Sequence, residues 1–412
     1  MRMLFITYGT RPHYFPMVPL AWSCHAAGHE VRVAGPPALA EPLKESGLLG
    51  VCVGADADIS AFLSGGAFRP KKPRPDETEE ETLERFVAGI APIASLRCEA
   101  MIDELLRFCR NWHPDVIVYD PATFAGAVAA QVLGVPAVCN LYGMVRQFRI
   151  EMDGINGIEP SPDYANQFKR FGVEPLVEPA AWIDPCPPGL RWRPPTPPAN
   201  LSPDVPRYSM QYVRYNGSGL VPEWLIEPPA RPRVAITWGT TQEKKLGEEV
   251  VRSGRRIVSA VASLDVEVVL TIGTTSREHL VHLDSLPDNV RTVHWIPFHV
   301  LAETCGAIVH TGGTGMMLTA AACGVPQLGI STIPESIFNT DQLEDYGAGI
   351  HIREPAMTEE QVTRAVERLL NDESHRAAAR RLREEMEAQL PPSAMVGELE
   401  RIATSAREGT GR

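Results

Sequence analysis

The sequence predicts an α/β protein built as two Rossmann-like domains facing across a cleft. Three observations carry that expectation. Apolar runs of strand length alternate with amphipathic helical stretches through the first half of the chain, stop, and resume in the second half. Between the two series prolines crowd residues 175–206, among them Pro185, Pro187, Pro188, Pro194, Pro195, Pro197 and Pro198. Proline fixes φ and removes a backbone donor, so neither sheet nor helix propagates through such a stretch. Third, the second series contains a glycine-rich turn between an apolar strand and a helix, as a nucleotide-binding α/β fold requires. A length of 412 residues suits two domains. The expected division is 1–205, a linker at 206–232, a second domain at 233–390, and a C-terminal helix at 391–412 crossing back to the first.

In chain order, Met3–Thr7 reads as a strand, Pro16–Ala27 as a helix stopped by Gly28, Glu30–Ala34 as a strand, Leu39–Ser46 as a helix and Leu49–Val53 as a strand. A long amphipathic segment runs from about Thr82 to Arg110, followed by strand Val116–Tyr119, helix Phe124–Leu133 and strand Val135–Leu141. Residues 175–206 read as an ordered crossing segment without regular strand or helix, followed by a linker ending near Pro232. The second series is strand Val234–Trp238, helix Gly247–Leu264, strands Val266–Ile272 and Val290–Trp295, helix Val300–Cys305, strand Ala307–His310, helix Met316–Cys323 and strand Val325–Ile330. Thr358 and Gln361 stand at capping-box spacing before a helix to Asn371, and Pro391-Pro392 splits two further helices. Alternation of this kind implies parallel sheets covered on both faces, with ligands at the C-terminal strand ends.

Composition narrows the partners. The net charge of −12 argues against nucleic acid, which needs a basic face, and against an anionic membrane surface. No stretch approaches the length of a membrane span, and the first apolar run is too short for a signal peptide. Eight scattered cysteines without C-x-x-C spacing read as thiols in a reducing cytoplasm.

Two places carry chemistry. The run His310-Thr-Gly-Gly-Thr-Gly315 joins an apolar strand end to a helix rich in Ala, Leu and Met. Glycines let a ligand approach the backbone N–H groups, and a helix N-terminus adds partial positive charge, so the turn suits a diphosphate. His310 can donate to a phosphate oxygen. The plainer reading is a tight turn whose glycines serve packing alone. In the first half, His13 follows the first strand directly and Asp120 ends another strand, which puts both on one sheet edge. An imidazole with an ordinary pKa of about 6.5 can take a proton from a hydroxyl, and a carboxylate that fixes its tautomer improves it as a base. The plainer readings are an exposed loop histidine and an N-cap for the helix beginning near Ala122.

Several motifs in order resemble those of bacterial natural-product glycosyltransferases, the GT-B enzymes that decorate macrolides, enediynes and other antibiotics. They are Val309-His-Thr-Gly-Gly-Thr-Gly315, Ala321-Ala-Cys-Gly-Val-Pro-Gln-Leu328, Tyr346-Gly-Ala-Gly-Ile350, Leu286-Pro-Asp-Asn-Val290, Tyr215-Asn-Gly217, Pro229-Ala-Arg-Pro232, Pro16-Met-Val-Pro-Leu-Ala-Trp22 and Ala27-Gly-His-Glu-Val31. The resemblance implies an inverting, metal-independent transferase without a cofactor, taking a TDP-sugar or UDP-sugar as donor and a small-molecule aglycone as acceptor. It implies His13 as base oriented by Asp120. On the donor side it implies His310, Gly312, Gly313 and Thr314 along the diphosphate, Thr240 and Thr10 near it, Trp295 stacked on the base, and the Ile296 backbone reading the base edge. Glu335 and Ser336 stand where the family often has Asp-Gln facing the sugar hydroxyls, and Thr311 where it often has a second histidine. A sugar with fewer hydroxyls to hold follows from those departures.

Acceptor recognition is expected in Ala61–Pro75 and Tyr142–Gln167, with Phe62, Phe68, Tyr142, Met144, Phe148 and Met152 lining an apolar pocket or simply packing. Asp56-Ala-Asp58 reads as solvated loop charge rather than a metal site. A sugar-nucleotide epimerase on the same fold, or a partner subunit without chemistry, is the alternative. A second copy of the chain or an activator protein is left open as a partner.

Overall fold

The computed structural model describes residues 1–59, 78–143, 149–154, 157–191, 202–238, 253–272 and 286–410. Two parallel sheets form, each with helices on both faces. The first has seven strands in the order β3-β2-β1-β4-β5-β6-β7. These are β1 (Arg2–Ile6), β2 (Glu30–Gly35), β3 (Gly50–Cys52), β4 (Val116–Tyr119), β5 (Ala137–Asn140), β6 (Ala181–Asp184) and β7 (Arg207–Ser209). The second has six in the order β10-β9-β8-β11-β12-β13, comprising β8 (Arg233–Thr237), β9 (Glu267–Thr271), β10 (Val290–Val293), β11 (Ala307–His310), β12 (Gln327–Ser331) and β13 (Gly349–Arg353). Strand order reverses between β1 and β4 in the first sheet and between β8 and β11 in the second. Such switch points open the crevices where α/β proteins bind ligands.

The central strands are apolar throughout because both faces are covered. On one face of the first sheet Leu4, Ile6 and Ile117 pack with Ile102, Leu105 and Val128 from the helices Ala91–Trp112 and Phe124–Leu133. On the other, Met3, Phe5 and Val118 pack with Leu20 of the helix Val18–Ala26 and with Met395 and Leu399 of the terminal helix Pro392–Thr410. The chain returns to the first domain just before that helix, where Leu390 bridges in parallel to Met210.

The irregular reading of residues 175–206 is corrected in part. β6 lies inside that stretch, and β7 opens the span assigned to the linker. The prolines flank β6, at Pro179 and Pro185, without entering it, so every donor the ladder needs is present. The long amphipathic segment is two helices, Glu79–Ala88 and Ala91–Trp112, broken at Gly89-Ile90. A helix Pro334–Tyr346 and β13 complete the second domain. Thr358 caps the helix Glu359–Asn371 through a full capping box with Gln361, as its spacing predicts.

Candidate active site

The first switch point is built from the ends of β1 and β4, where Ile6 stands beside Tyr119 in register. The chain leaving β1 does not form an open loop. Thr10 starts a short helix, Arg11–Tyr14, whose second residue is Pro12, and the Thr10 carbonyl accepts from the His13 and Tyr14 N–H groups. His13 is therefore nearly buried and held by backbone, which removes the exposed-loop reading. Its Nδ1–H donates to Asp120 Oδ1 at 2.9 Å. That bond leaves Nε2 as the proton-accepting nitrogen.

Asp120 is fully buried and its oxygens are shared out. Oδ1 also accepts from the Ala122 N–H at 3.0 Å, and Oδ2 accepts from the Thr123 hydroxyl at 2.5 Å. Asp120 thus does both things its position suggested: it orients His13 and it steadies the approach to the helix Phe124–Leu133. Thr123, which sequence reasoning passed over, accepts the Tyr8 N–H at 3.0 Å as well, so one hydroxyl ties the ends of β1 and β4 together.

Tyr8 was also not foreseen. Its hydroxyl lies 2.7 Å from His13 Nε2. Burial pushes the Tyr8 phenol up to about 12 against the pull of the Arg97 guanidinium, so the phenol keeps its proton and donates to Nε2. Arg97 sits over the Tyr8 ring at 3.7 Å. On the other side of His13 the Tyr142 ring packs at 3.9 Å between centroids. Burial, followed by the negative charge of Glu335, raises the Tyr142 phenol well above its ordinary range. Glu335 of the second domain therefore stands within electrostatic reach of the histidine pocket.

The second switch point holds the glycine turn. β11 runs beside β8 with His310 opposite Thr237, and the Thr311 hydroxyl donates to the Trp238 carbonyl at 3.2 Å across the gap. Gly312 has φ +79, and a Cβ there would lie 2.7 Å from the Ser336 carbonyl oxygen, so only glycine fits. Gly313 then caps the helix Thr314–Ala322 without any side-chain cap, leaving its first N–H groups directed at the cleft. Among the described residues, its own helix and chain neighbours aside, no atom stands within 4 Å of a Cβ built on Gly313 or Gly315, so none of them covers this end. Asn339 donates to the Gly312 carbonyl at 3.2 Å and to the Thr314 hydroxyl at 3.1 Å. Thr314 receives that bond and keeps its own hydrogen for another acceptor.

Two donor-side residues are engaged within the protein, and His310 is the first. It is buried, its Nδ1 accepts the Gly312 N–H at 2.9 Å, and its Nε2–H donates to Gln327 at 2.8 Å. Burial lowers it to about 4, so it stays neutral and braces the turn. The Gly312 N–H is spent in the same contact. Ser336 is buried behind the turn, its Cβ 2.9 Å from a Cβ built on Gly312. Glu335 is partly exposed in the first turn of its helix.

Trp295 is 46% exposed, the wrong state for a core aromatic and the right one for a stacking platform. Its Nε1–H donates to the Ser218 carbonyl at 2.9 Å, and the Arg11 guanidinium lies 5.3 Å from its ring. Ile296 beside it is buried. The linker grips the donor side further: Tyr212 and Asn216 each hydrogen-bond to the Thr319 hydroxyl, both at 3.1 Å. The two domains meet where Gly143 lies against Thr314; a Cβ there would come within 2.1 Å of the threonine methyl.

Thr10 is partly buried at the cleft edge. Of the acceptor candidates, Tyr142 lines the histidine pocket. Met152 is buried in a bridge to Pro160, its sulfur 3.7 Å from the buried Arg149 guanidinium. Thr240, Phe62, Phe68, Met144 and Phe148 lie outside the described residues. Asp56 accepts the Ala38 N–H at 2.9 Å, a loop-closing role.

Two Rossmann-like domains with a histidine–carboxylate pair on one side of the cleft and an anion-binding helix end on the other define a GT-B glycosyltransferase. Residues 22–239 match the erythromycin biosynthesis protein CIII-like N-terminal domain, and residues 255–402 the corresponding C-terminal domain. The chain belongs to this family of natural-product glycosyltransferases. It is 36% identical to 10-deoxymethynolide desosaminyltransferase of Streptomyces venezuelae, over 99% of this chain and 98% of that protein. It is 35% identical to aklavinone 7-beta-L-rhodosaminyltransferase of Streptomyces galilaeus, over 99% of this chain and 97% of that one. Among solved structures, the glycosyltransferase VinC in complex with dTDP superposes with a TM-score of 0.79 at 31% identity, over 98% of this chain and 100% of VinC.

Proposed function

We propose that this enzyme transfers a deoxysugar from a TDP-sugar to a hydroxyl group of a polyketide-type small molecule, with inversion at the anomeric carbon. One observation carries the reading. The His13–Asp120 pair and the open end of the helix Thr314–Ala322 face each other where Gly143 meets Thr314, with Tyr142 between them. His13 Nε2 takes the proton of the acceptor hydroxyl as its oxygen bonds to the anomeric carbon. Asp120 holds the tautomer and stabilises the imidazolium that forms. The bond to the diphosphate breaks on the opposite face. The leaving group is met by the N–H groups of Gly313–Gly315, the Thr314 hydroxyl and the helix dipole, while His310 and Asn339 hold the turn in shape.

Support for thymidine over uridine diphosphate is the dTDP held by VinC. Support for a deoxysugar is twofold. The relatives' names specify desosaminyl and rhodosaminyl transfer. Ser336 is also buried against Gly312 while Glu335 beside it is partly exposed, which suits Glu335 as the acidic partner for an amino or deoxy sugar. The eight cysteines are free thiols and no helix among the described residues is long and apolar enough to cross a membrane, in keeping with work in the cytoplasm.

The test is TDP release from purified protein, with and without 10-deoxymethynolide or aklavinone, over a panel of TDP-deoxysugars and TDP-glucose. Acceptor-dependent release with a glycosylated product of β/α-inverted configuration is expected, and a deoxysugar donor should outpace TDP-glucose. Epimerised donor without transfer would mark the epimerase reading, and no release with any donor the silent subunit.

A further inference from the structure

The nitrogen that must receive the acceptor proton is already engaged. Tyr8 Oη is 2.7 Å from His13 Nε2, and the phenol, protonated at neutral pH, fills the one lone pair that Asp120 leaves available. Tyr8 is not free to wander. Its backbone N–H is fixed by Thr123, and its ring lies under Arg97 at 3.7 Å. Arg97 belongs to a different element, the helix Ala91–Trp112. A guanidinium held this close over an aromatic face is attracted to the ring and holds it in turn.

A glycosyl donor bound beside an imidazole base is open to a competing reaction. Water can give its proton to Nε2 while its oxygen bonds to the anomeric carbon and the diphosphate leaves with the electron pair of the broken bond. That reaction hydrolyses the donor without transfer. A water molecule reaches Nε2 only by displacing the Tyr8 hydroxyl, and one water gains little by the exchange. An aglycone brings apolar surface that stabilises its binding and can meet the displacement.

Resting on His13 as the base, we propose that Tyr8 is a stopper on the catalytic imidazole, held in place by Arg97, which suppresses hydrolysis of the sugar donor until an acceptor hydroxyl displaces it. Tyr8 is thus a positioning residue set against water and not a relay for the acceptor proton.

The experiment measures TDP release from TDP-desosamine without acceptor, in wild type, Tyr8→Phe and Arg97→Met. Tyr8→Phe should release TDP about tenfold faster than wild type, and Arg97→Met by a smaller factor, with melting temperature and TDP affinity unchanged in both. The ratio of hydrolysis to transfer with 10-deoxymethynolide should rise in the same order, a readout that a purely structural role would not move. Equal or slower release in Tyr8→Phe, absence of release in both proteins included, overturns the stopper. Raised release that persists in Tyr8→Phe/His13→Ala also overturns it, since water would then act without the base. Full transfer activity in His13→Ala alone would instead remove the base assignment, whatever Tyr8→Phe does.

Discussion

Two histidines stand at the switch points of the two domains, His13 in the short helix after β1 and His310 at the end of β11, and they do different work. His13 has one nitrogen on a buried carboxylate and the other toward the cleft, where a phenol meets it. His310 has both nitrogens enclosed, one taking a backbone N–H and the other giving its proton to Gln327. The partner set decides the role. A carboxylate on one side stabilises the imidazolium and makes a base. An amide oxygen on one side and an N–H donor on the other leave no room for a second proton, so the same ring becomes a neutral brace. Position at a strand end does not separate the two.

The sharpest way to break this contrast is to remove each ring in turn. His13→Ala should lower transfer by a factor of about 10²–10⁴, the usual worth of a positioned base, while TDP binding measured by calorimetry stays at the wild-type value. A variant that transfers at the wild-type rate would place the base elsewhere.

For His310 the expected effect lies in stability. Its folded pKa of about 4 lies below the ordinary 6.5. The unfolded chain therefore binds the extra proton first as pH falls. The native state keeps its full stability above about pH 6.5 and loses it progressively between there and pH 4, by ~3 kcal/mol at most for a shift of this size. Melting temperatures of wild type should fall over that window, and those of His310→Gln should fall less. Parallel curves for the two proteins would show that the ring is not held neutral by its surroundings.

The sequence made the central strands legible because strands buried on both faces have to be apolar, and β4, the helix Phe124–Leu133 and β11 fall where their patterns place them. It concealed β6, whose four residues are surrounded by prolines that reach the eye first. At the site, His13 and Asp120 were legible as titratable groups at strand ends. His310 was legible as a residue of the turn but not in its role, because Gln327 comes from the neighbouring strand and that pairing is tertiary. Tyr8, Thr123 and Asn339 carried no motif. Tyr8 and Thr123 each lie within three residues of a predicted site residue, and a search along the two strand ends for every hydrogen-bonding side chain would have raised them.

On the donor side, Trp295→Ala should raise KM for the TDP-sugar about tenfold and leave kcat within a factor of two, since a stacked base is worth about 1–3 kcal/mol and is held equally before and during reaction. Loss of kcat with unchanged KM would assign the ring to the contacts it makes with Arg11 and Ser218.

The smallest effect expected is the most discriminating about how rigidly the base is held. Thr123 donates to Asp120 and accepts from Tyr8, so Thr123→Val strips one carboxylate oxygen and one backbone N–H of their partner at once. The His13–Asp120 bond itself survives. If Asp120 only needs to be present, transfer should be unaffected; if its orientation matters, kcat should fall about threefold to tenfold, about 1 kcal/mol, with KM for both substrates unchanged. We expect the fall, because the remaining bond from Ala122 fixes only the oxygen that His13 already uses, and the carboxylate is then free to rotate about it. Thr123→Ser returns the hydroxyl without the methyl and should recover most of the rate. A Ser variant as slow as Val would show that the methyl packing, and not the hydrogen bond, sets the position of the pair.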